Sequence, residues 1–213
     1  MTRFTLYGNR GWGSVLTEAQ LAFYGLDYEF VAAGELFSDE EARQRLVSVN
    51  PISQIPTLVM PDGSVMTESV AITLALADRT GSTELVPEPG TSERNTFLRW
   101  LVFFPANIHP TYTYADDPAR FVAVKEAQAP FEQAVWDYNR KLTGIWHDAA
   151  GSPWFLGERF SALDIYTCAL MHWDNPGRKW AESATPRLIA ISDAAVKHDR
   201  LRDVLALNYG SSA

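Results

Sequence analysis

Apolar positions along the chain follow two different periods, and the place where one gives way to the other divides the molecule. Residues 4–8, FTLYG, and 28–33, YEFVAA, are short runs rich in aromatic and β-branched residues and predict strands. Between them Val15, Leu16, Ala19, Ala22 and Phe23 fall at helical spacing, which makes a strand-helix-strand unit. A polar helical stretch over 39–49 follows, then strands at 57–60 and 64–67 joined by Pro61-Asp62-Gly63, whose glycine permits the positive φ of a tight turn. A helix over 68–79 closes this first lobe, and residues 80–91, TGSTELVPEPGT, mix Gly, Ser and Pro as a linker does. Beyond them the strand pattern fades. Residues 92–109, 119–147, 161–174 and 186–198 carry Trp, Phe, Leu and Ala at helical spacing, which predicts a bundle. The expected architecture is an α/β lobe over 1–79, a linker over 80–91 and an all-α part over 92–213.

Composition narrows the partners. The 213 residues carry a formal net charge of −8 without a basic run, which argues against a nucleic-acid or anionic-membrane surface and for a small molecule or a protein. No segment reaches about 18 consecutive apolar residues, the length a membrane-spanning helix needs. Cys168 is the only cysteine, so no internal disulfide forms, and MTRFTLYGNR lacks the apolar core of a secretory signal; a cytoplasmic chain is expected.

The stretch from Asn50 to Ile72, NPISQIPTLVMPDGSVMTESVAI, concentrates the candidate chemistry. Pro56 stands directly before a strand, and an X-Pro bond is where a cis peptide costs little. A cis bond there would leave the Ile55 N–H and C=O pointing outward, ready to pair with an extended peptide. Glu68 and Ser69 begin the helix over 68–79, where free amides and the helix dipole favour a carboxylate, while the Glu68 side chain suits an amine. Taken singly, Pro56 reads equally as a trans proline opening a strand, and Glu68-Ser69 as a helix cap. Their order and spacing on one lobe favour a site for a small peptide with an α-amino acid at one end.

With NPISQIPTLVMPDGSVMTES and a second motif, FSALDIYT over 160–167, the sequence resembles the glutathione transferase family over nearly its whole length. The resemblance implies a thioredoxin-like N-terminal lobe that binds glutathione as co-substrate, followed by an all-helical bundle contributing an electrophile pocket. It implies that Ile55 before cis Pro56 pairs with the cysteinyl part of glutathione, that Glu68 and Ser69 hold its γ-glutamyl end, and that Gln54 lies nearby. It also implies a homodimer and a detoxifying transferase. Other glutathione-dependent reactions (isomerisation, peroxide reduction, disulfide-bond reduction) and a non-catalytic interaction module of the same fold are the alternatives. The second motif reads as a capping box, with Asp164 reaching back to the Ser161 N–H, and carries no catalytic role.

A transferase must hold a thiolate, since a free thiol with a pKa of roughly 8.5 is mostly protonated at neutral pH. In the family the activating group lies at the end of the first strand or in the loop after it, here Tyr7 to Ser14. This chain departs from the common patterns: Gly11 takes the place of the theta-like or tau-like serine and Gly13 that of the bacterial beta-class cysteine. Ser14, at the start of the first helix, and Tyr7, near the tyrosine of mammalian-type classes, are the candidate catalytic side chains. Ser14 also reads as a helix cap, and Tyr7 reads first as a core residue of the first strand. Backbone amides around Trp12 to Ser14 are a further source of stabilisation, with Asn9 and Arg10 behind them. Trp12, His109, Tyr112 and Tyr114 are the expected pocket walls. Cys168 reads as a buried small residue, and the four histidines and single cysteine give no support to a metal site.

Overall fold

The computed structural model describes residues 3–173 and 178–210. Four strands, β1 (Phe4–Gly8), β2 (Tyr28–Ala32), β3 (Thr57–Val59) and β4 (Val65–Met66), form one sheet in the order β2-β1-β3-β4. Helix α1 (Val15–Phe23) crosses between β1 and β2, which makes them parallel, while β3 runs antiparallel to β1 and turns back through Gly63 into β4. Helices α2 (Glu40–Val47) and α3 (Ser69–Thr80) complete a thioredoxin-like lobe, and a helical C-terminal part follows.

Helix α1 is the seam between the two parts. Its residues Val15 to Leu21 are all buried, because Leu21 joins the sheet core with Leu6, Leu58 and Ile72 while Val15, Leu16 and Ala19 join the core of the helices. Polar side chains on so buried a helix need partners inside the protein. Gln20 Nε2 donates to the Leu16 carbonyl and to Thr73 Oγ1 of α3, and Thr73 Oγ1 in turn meets the Tyr166 hydroxyl at 3.2 Å.

The helical part is organised around α7 (Ala162–His172), buried from Ala162 to Met171. Its start is fixed by the predicted capping box: Asp164 Oδ2 accepts from the Ser161 N–H at 2.7 Å, and Ser161 Oγ accepts from a first-turn amide. Asp164 Oδ1 also takes the Phe155 N–H at 2.7 Å, and burial pushes the carboxyl up to about 7 against the pull of these bonds.

The helix expected over 92–109 is three pieces. Helix α4 (Ser92–Phe103) passes into a π-helical turn over Phe104–Ile108, and α5 (His109–Asp116) follows. Pro105 has no N–H to give a regular ladder, which accounts for the widened turn at this point. The helix expected from residue 119 starts at Lys125 as α6 (Lys125–Ala149), because Asp117 before Pro118 leaves the helical region and Pro118–Arg120 forms a short tight turn. The segment expected over 161–174 ends at His172, and residue 174 lies outside the described residues. Helices α8 (Arg178–Ala184), α9 (Pro186–Val196) and α10 (Arg202–Tyr209) end the chain; α9 matches the stretch expected over 186–198, and α8 and α10 were not foreseen.

Candidate functional site

A cleft of about 1180 Å³ lies between the two parts, and Gln54, Ile55, Pro56, Glu68 and Ser69 line one side of it. The Ile55–Pro56 peptide is cis. β3 begins only at Thr57, opposite Tyr7, so the Ile55 N–H and C=O precede the ladder and have no hydrogen-bond partner among the described residues. The approach to Ile55 is shaped by Asn50, whose Nδ2 donates to the Gln54 carbonyl and to Thr57 Oγ1, both at 3.0 Å, and whose Oδ1 accepts from the Ile52 N–H. Asn50 is nearly fully buried, and its role was not assigned from the sequence, although an asparagine opening a turn is a legible signal.

Glu68 occupies the N-cap position of α3 at φ 65°, a left-handed backbone conformation that is costly for a residue with a side chain. Its carboxylate makes no cap bond and is exposed at the cleft, so the first amides of α3 are not closed off by their own cap. Ser69 is buried beside Tyr166, whose hydroxyl meets Thr73 Oγ1 at 3.2 Å and is pushed up to about 12 by burial. The sequence pair is therefore split between an exposed carboxylate and a buried serine, both lining the cleft.

The loop after β1 is held at four points, one of them the Trp12 N–H on the Asn9 carbonyl at 3.1 Å. Ser14 Oγ donates to the Asn9 carbonyl at 2.7 Å and accepts the Asn9 N–H at 3.0 Å; the Asn9 side chain pairs with both main-chain groups of Gly34; and the Gly11 N–H donates to Asn208 Oδ1 at 2.9 Å. Ser14 is fully buried, its side chain makes no cap bond, and its donor is consumed inside the loop. Tyr7 lies within β1 between Val31 of β2 and Thr57 of β3. Neither Ser14 nor Tyr7 lines the cleft; Gly11, Trp12 and Gly13 do. Gly13 faces Ile55 closely enough that a Cβ there would stand 3.8 Å from the Ile55 carbonyl oxygen, and its own amide has no acceptor among the described residues.

The opposite wall is aromatic. His109, Tyr112 and Tyr114 of α5 all reach the cleft, joined by His172, Trp173 and Tyr209, which sequence reasoning did not foresee. His109 stacks beside Tyr166 and Phe104, each at 6.3 Å, with Trp173 at 5.8 Å. Burial among these rings holds its imidazole down to about 4, so it is neutral at physiological pH. Tyr112 is packed edge-on to Trp136 and Trp173, and its phenol is held above the usual range by burial. On the first-lobe side Trp12 packs on Phe37 at 5.1 Å. Phe37, Arg43 and the C-terminal Tyr209 come from segments whose sequence carries no site signal; only the fold brings them here.

Cys168 is buried within α7. Among the described residues no group of three or more His, Cys, Asp or Glu is placed to hold a metal ion, and no helix is long and apolar enough to cross a membrane.

Comparison with known proteins places this geometry in context. Residues 2–77 match the description of the glutathione S-transferase N-terminal domain. Over 205 residues the chain is 34% identical to the uncharacterized GST-like protein YncG of Escherichia coli K12, covering 95% of this chain and 97% of that protein. It is 25% identical over 171 residues to glutathione S-transferase GstA of Escherichia coli O157:H7, covering 79% of this chain and 81% of that one. In structure it superposes with a TM-score of 0.85 on a glutathione transferase homologue from Sulfitobacter with bound glutathione, at 18% identity and over 98% of this chain and 100% of the other.

Proposed function

The chain belongs to the glutathione S-transferase family, and on that premise we propose that it is an enzyme that binds glutathione and conjugates its thiolate to small, mostly apolar electrophiles. The observation that carries the reading is the convergence on one cleft of the unpaired Ile55 main chain and the uncapped start of α3 beside Glu68. Ile55 pairs with the peptide by strand addition, and the α3 amides and Glu68 hold the carboxylate and amine of its γ-glutamyl end. The sulfur faces Gly11 to Gly13 just before α1, where the Gly13 amide, without an acceptor among the described residues, and the helix end favour the anion. Ser14, with its hydroxyl spent on Asn9, acts by fixing this loop rather than by donating to sulfur. Tyr7 takes no part in the chemistry. The thiolate attacks the electrophilic carbon of a second substrate seated against Trp12, His109, Tyr112 and Tyr114, forming a C–S bond as the displaced group leaves with its electron pair.

Calorimetry with glutathione tests the site. Glu68→Ala and Ser69→Ala are expected to weaken binding, Glu68→Ala by roughly tenfold to a hundredfold, as loss of a charge-assisted bond does. Unchanged affinity in both removes the site. The same reading carries a cytoplasmic homodimer with a role in detoxification, and sedimentation at micromolar concentration checks the dimer against the 23.8 kDa chain.

A further inference from the structure

We infer that Asn208, in the last turn of α10, is a positioning residue for the loop that faces the glutathione sulfur, and that buried Glu18 sets its orientation. The inference rests on the glutathione reading above and adds to it a residue 197 positions away from the loop it holds.

Three hydrogen bonds define the amide of Asn208. Its Nδ2 donates to Glu18 Oε2 at 2.8 Å and to the Val204 carbonyl at 2.9 Å, and its Oδ1 accepts the Gly11 N–H at 2.9 Å. Both partners of the nitrogen are acceptors and the partner of the oxygen is a donor, so only one of the two amide orientations satisfies all three. Glu18 is fully buried on α1, yet it keeps the company a carboxylate requires: Arg10 at 3.5 Å, the Tyr28 hydroxyl at 3.3 Å and Asn208. A buried carboxylate is costly to keep unless its contacts matter. Here it sits in the helix that starts at the sulfur loop and turns the Asn208 carbonyl toward that loop.

Gly11 depends on the Asn208 hydrogen bond for its hold. It stands at φ 78°, has no side chain to pack, and is followed by Trp12 and Gly13, both on the cleft. Asn9 is anchored by Ser14 and Gly34, the Trp12 N–H donates to the Asn9 carbonyl at 3.1 Å and α1 begins beyond, so the Gly11 amide is the point where the middle of the loop is tied to the C-terminal helix. The tie comes from α10, whose next residue, Tyr209, stacks on His172 at 4.2 Å and also lines the cleft. The C-terminal helix thus touches both the sulfur loop and the aromatic wall. Stabilising an anion through amides works only when the amides are held in place before the charge arrives.

The test uses the full-length protein labelled with ¹⁵N-glycine. In Asn208→Ala and in Glu18→Leu the Gly11 amide is expected to exchange with solvent at least tenfold faster, with Gly63 in the distant turn unchanged as control. Glu18→Gln keeps an acceptor for Asn208 Nδ2 and is expected to retain protection. Glu18→Leu replaces a buried charge with an apolar group, so it keeps the question open to measurement if Asn208→Ala folds poorly. In parallel, the thiolate absorbance of bound glutathione is titrated: its pKa is expected to rise by about one unit in Asn208→Ala, a tenfold smaller thiolate fraction, while affinity for S-methylglutathione stays the same. Unchanged Gly11 exchange overturns the inference. So does faster exchange with an unchanged thiol titration, because the hold would then have no chemical consequence. Absence of any glutathione binding by the unaltered protein refutes the glutathione reading instead, and the two failures are told apart because Gly11 exchange is measured without glutathione.

Discussion

The wall of the cleft that the first lobe contributes presents main-chain groups, the Ile55 amide and carbonyl and the first amides of α3, whereas the wall across from it presents rings packed on other rings. The first wall depends on backbone conformations set within a few residues: a cis peptide at Ile55–Pro56, a left-handed Glu68 and a turn at Gly63. The second depends on a core gathered from α4, α5, α6 and α7, in which Phe104 meets Trp146 at 4.7 Å and Tyr166 at 5.0 Å. Main-chain recognition asks little of side-chain identity and tolerates change nearby; an aromatic wall is specified by what lies behind it.

The largest expected effect breaks the second wall from behind. Phe104 is fully buried, and Phe104→Ala leaves a cavity between Trp146 and Tyr166. Urea denaturation is expected to show a loss of about 3–5 kcal/mol. A loss under about 1 kcal/mol would mean that the wall does not rest on this packing.

His109 gives the same wall a pH signature. Its imidazole titrates near 6.5 in the unfolded chain and near 4 in the folded one, so the unfolded state binds more protons between those values. The stabilisation is complete above about 6.5, is lost as pH falls toward 4, and amounts to at most roughly 3 kcal/mol. Asp164, raised to about 7, acts in the opposite sense, becoming more favourable to folding as pH falls. It is present in both proteins of the comparison, so the difference in stability between the wild type and His109→Gln isolates the histidine. Melting curves from pH 4 to 7 are expected to show a shallower acid-side decline in His109→Gln; parallel curves would refute burial as the source of the low pKa.

The smallest effect concerns the first wall and has opposite signs for folding and binding. Glu68 carries a positive φ without being glycine, and Glu68→Gly relieves that cost. The substitution is expected to stabilise the fold by about 1 kcal/mol in denaturant titration while weakening glutathione binding. Stabilisation with full affinity would show that the carboxylate does not meet the ligand.

Much of the first lobe was legible because its determinants are local. Short runs rich in aromatic and β-branched residues marked β1 and β2, Asp62-Gly63 marked the hairpin, and the Pro56 and Glu68-Ser69 positions marked the cleft edge, each through a conformational preference of the residues themselves. The capping box at Ser161 and Asp164 was legible for the same reason. The loop after β1 was not. From sequence Ser14 was a natural donor at a helix start, but its hydroxyl turns inward to Asn9, a choice made by the close packing of Gly8 against it: a Cβ on Gly8 would stand 2.4 Å from that of Ser14.

What the sequence determined by itself is a thioredoxin-like lobe followed by helices, together with those elements of the cleft whose geometry is fixed by dihedral preference and turn chemistry over a few residues. What only the tertiary structure decided is which distant groups complete the cleft: His172, Trp173 and Tyr209 on the aromatic side, and Asn208 on Gly11. The physical reason is that a hydrogen bond or ring contact between residues 197 positions apart leaves no periodicity in the chain; it exists only once the cores have packed and fixed the distance.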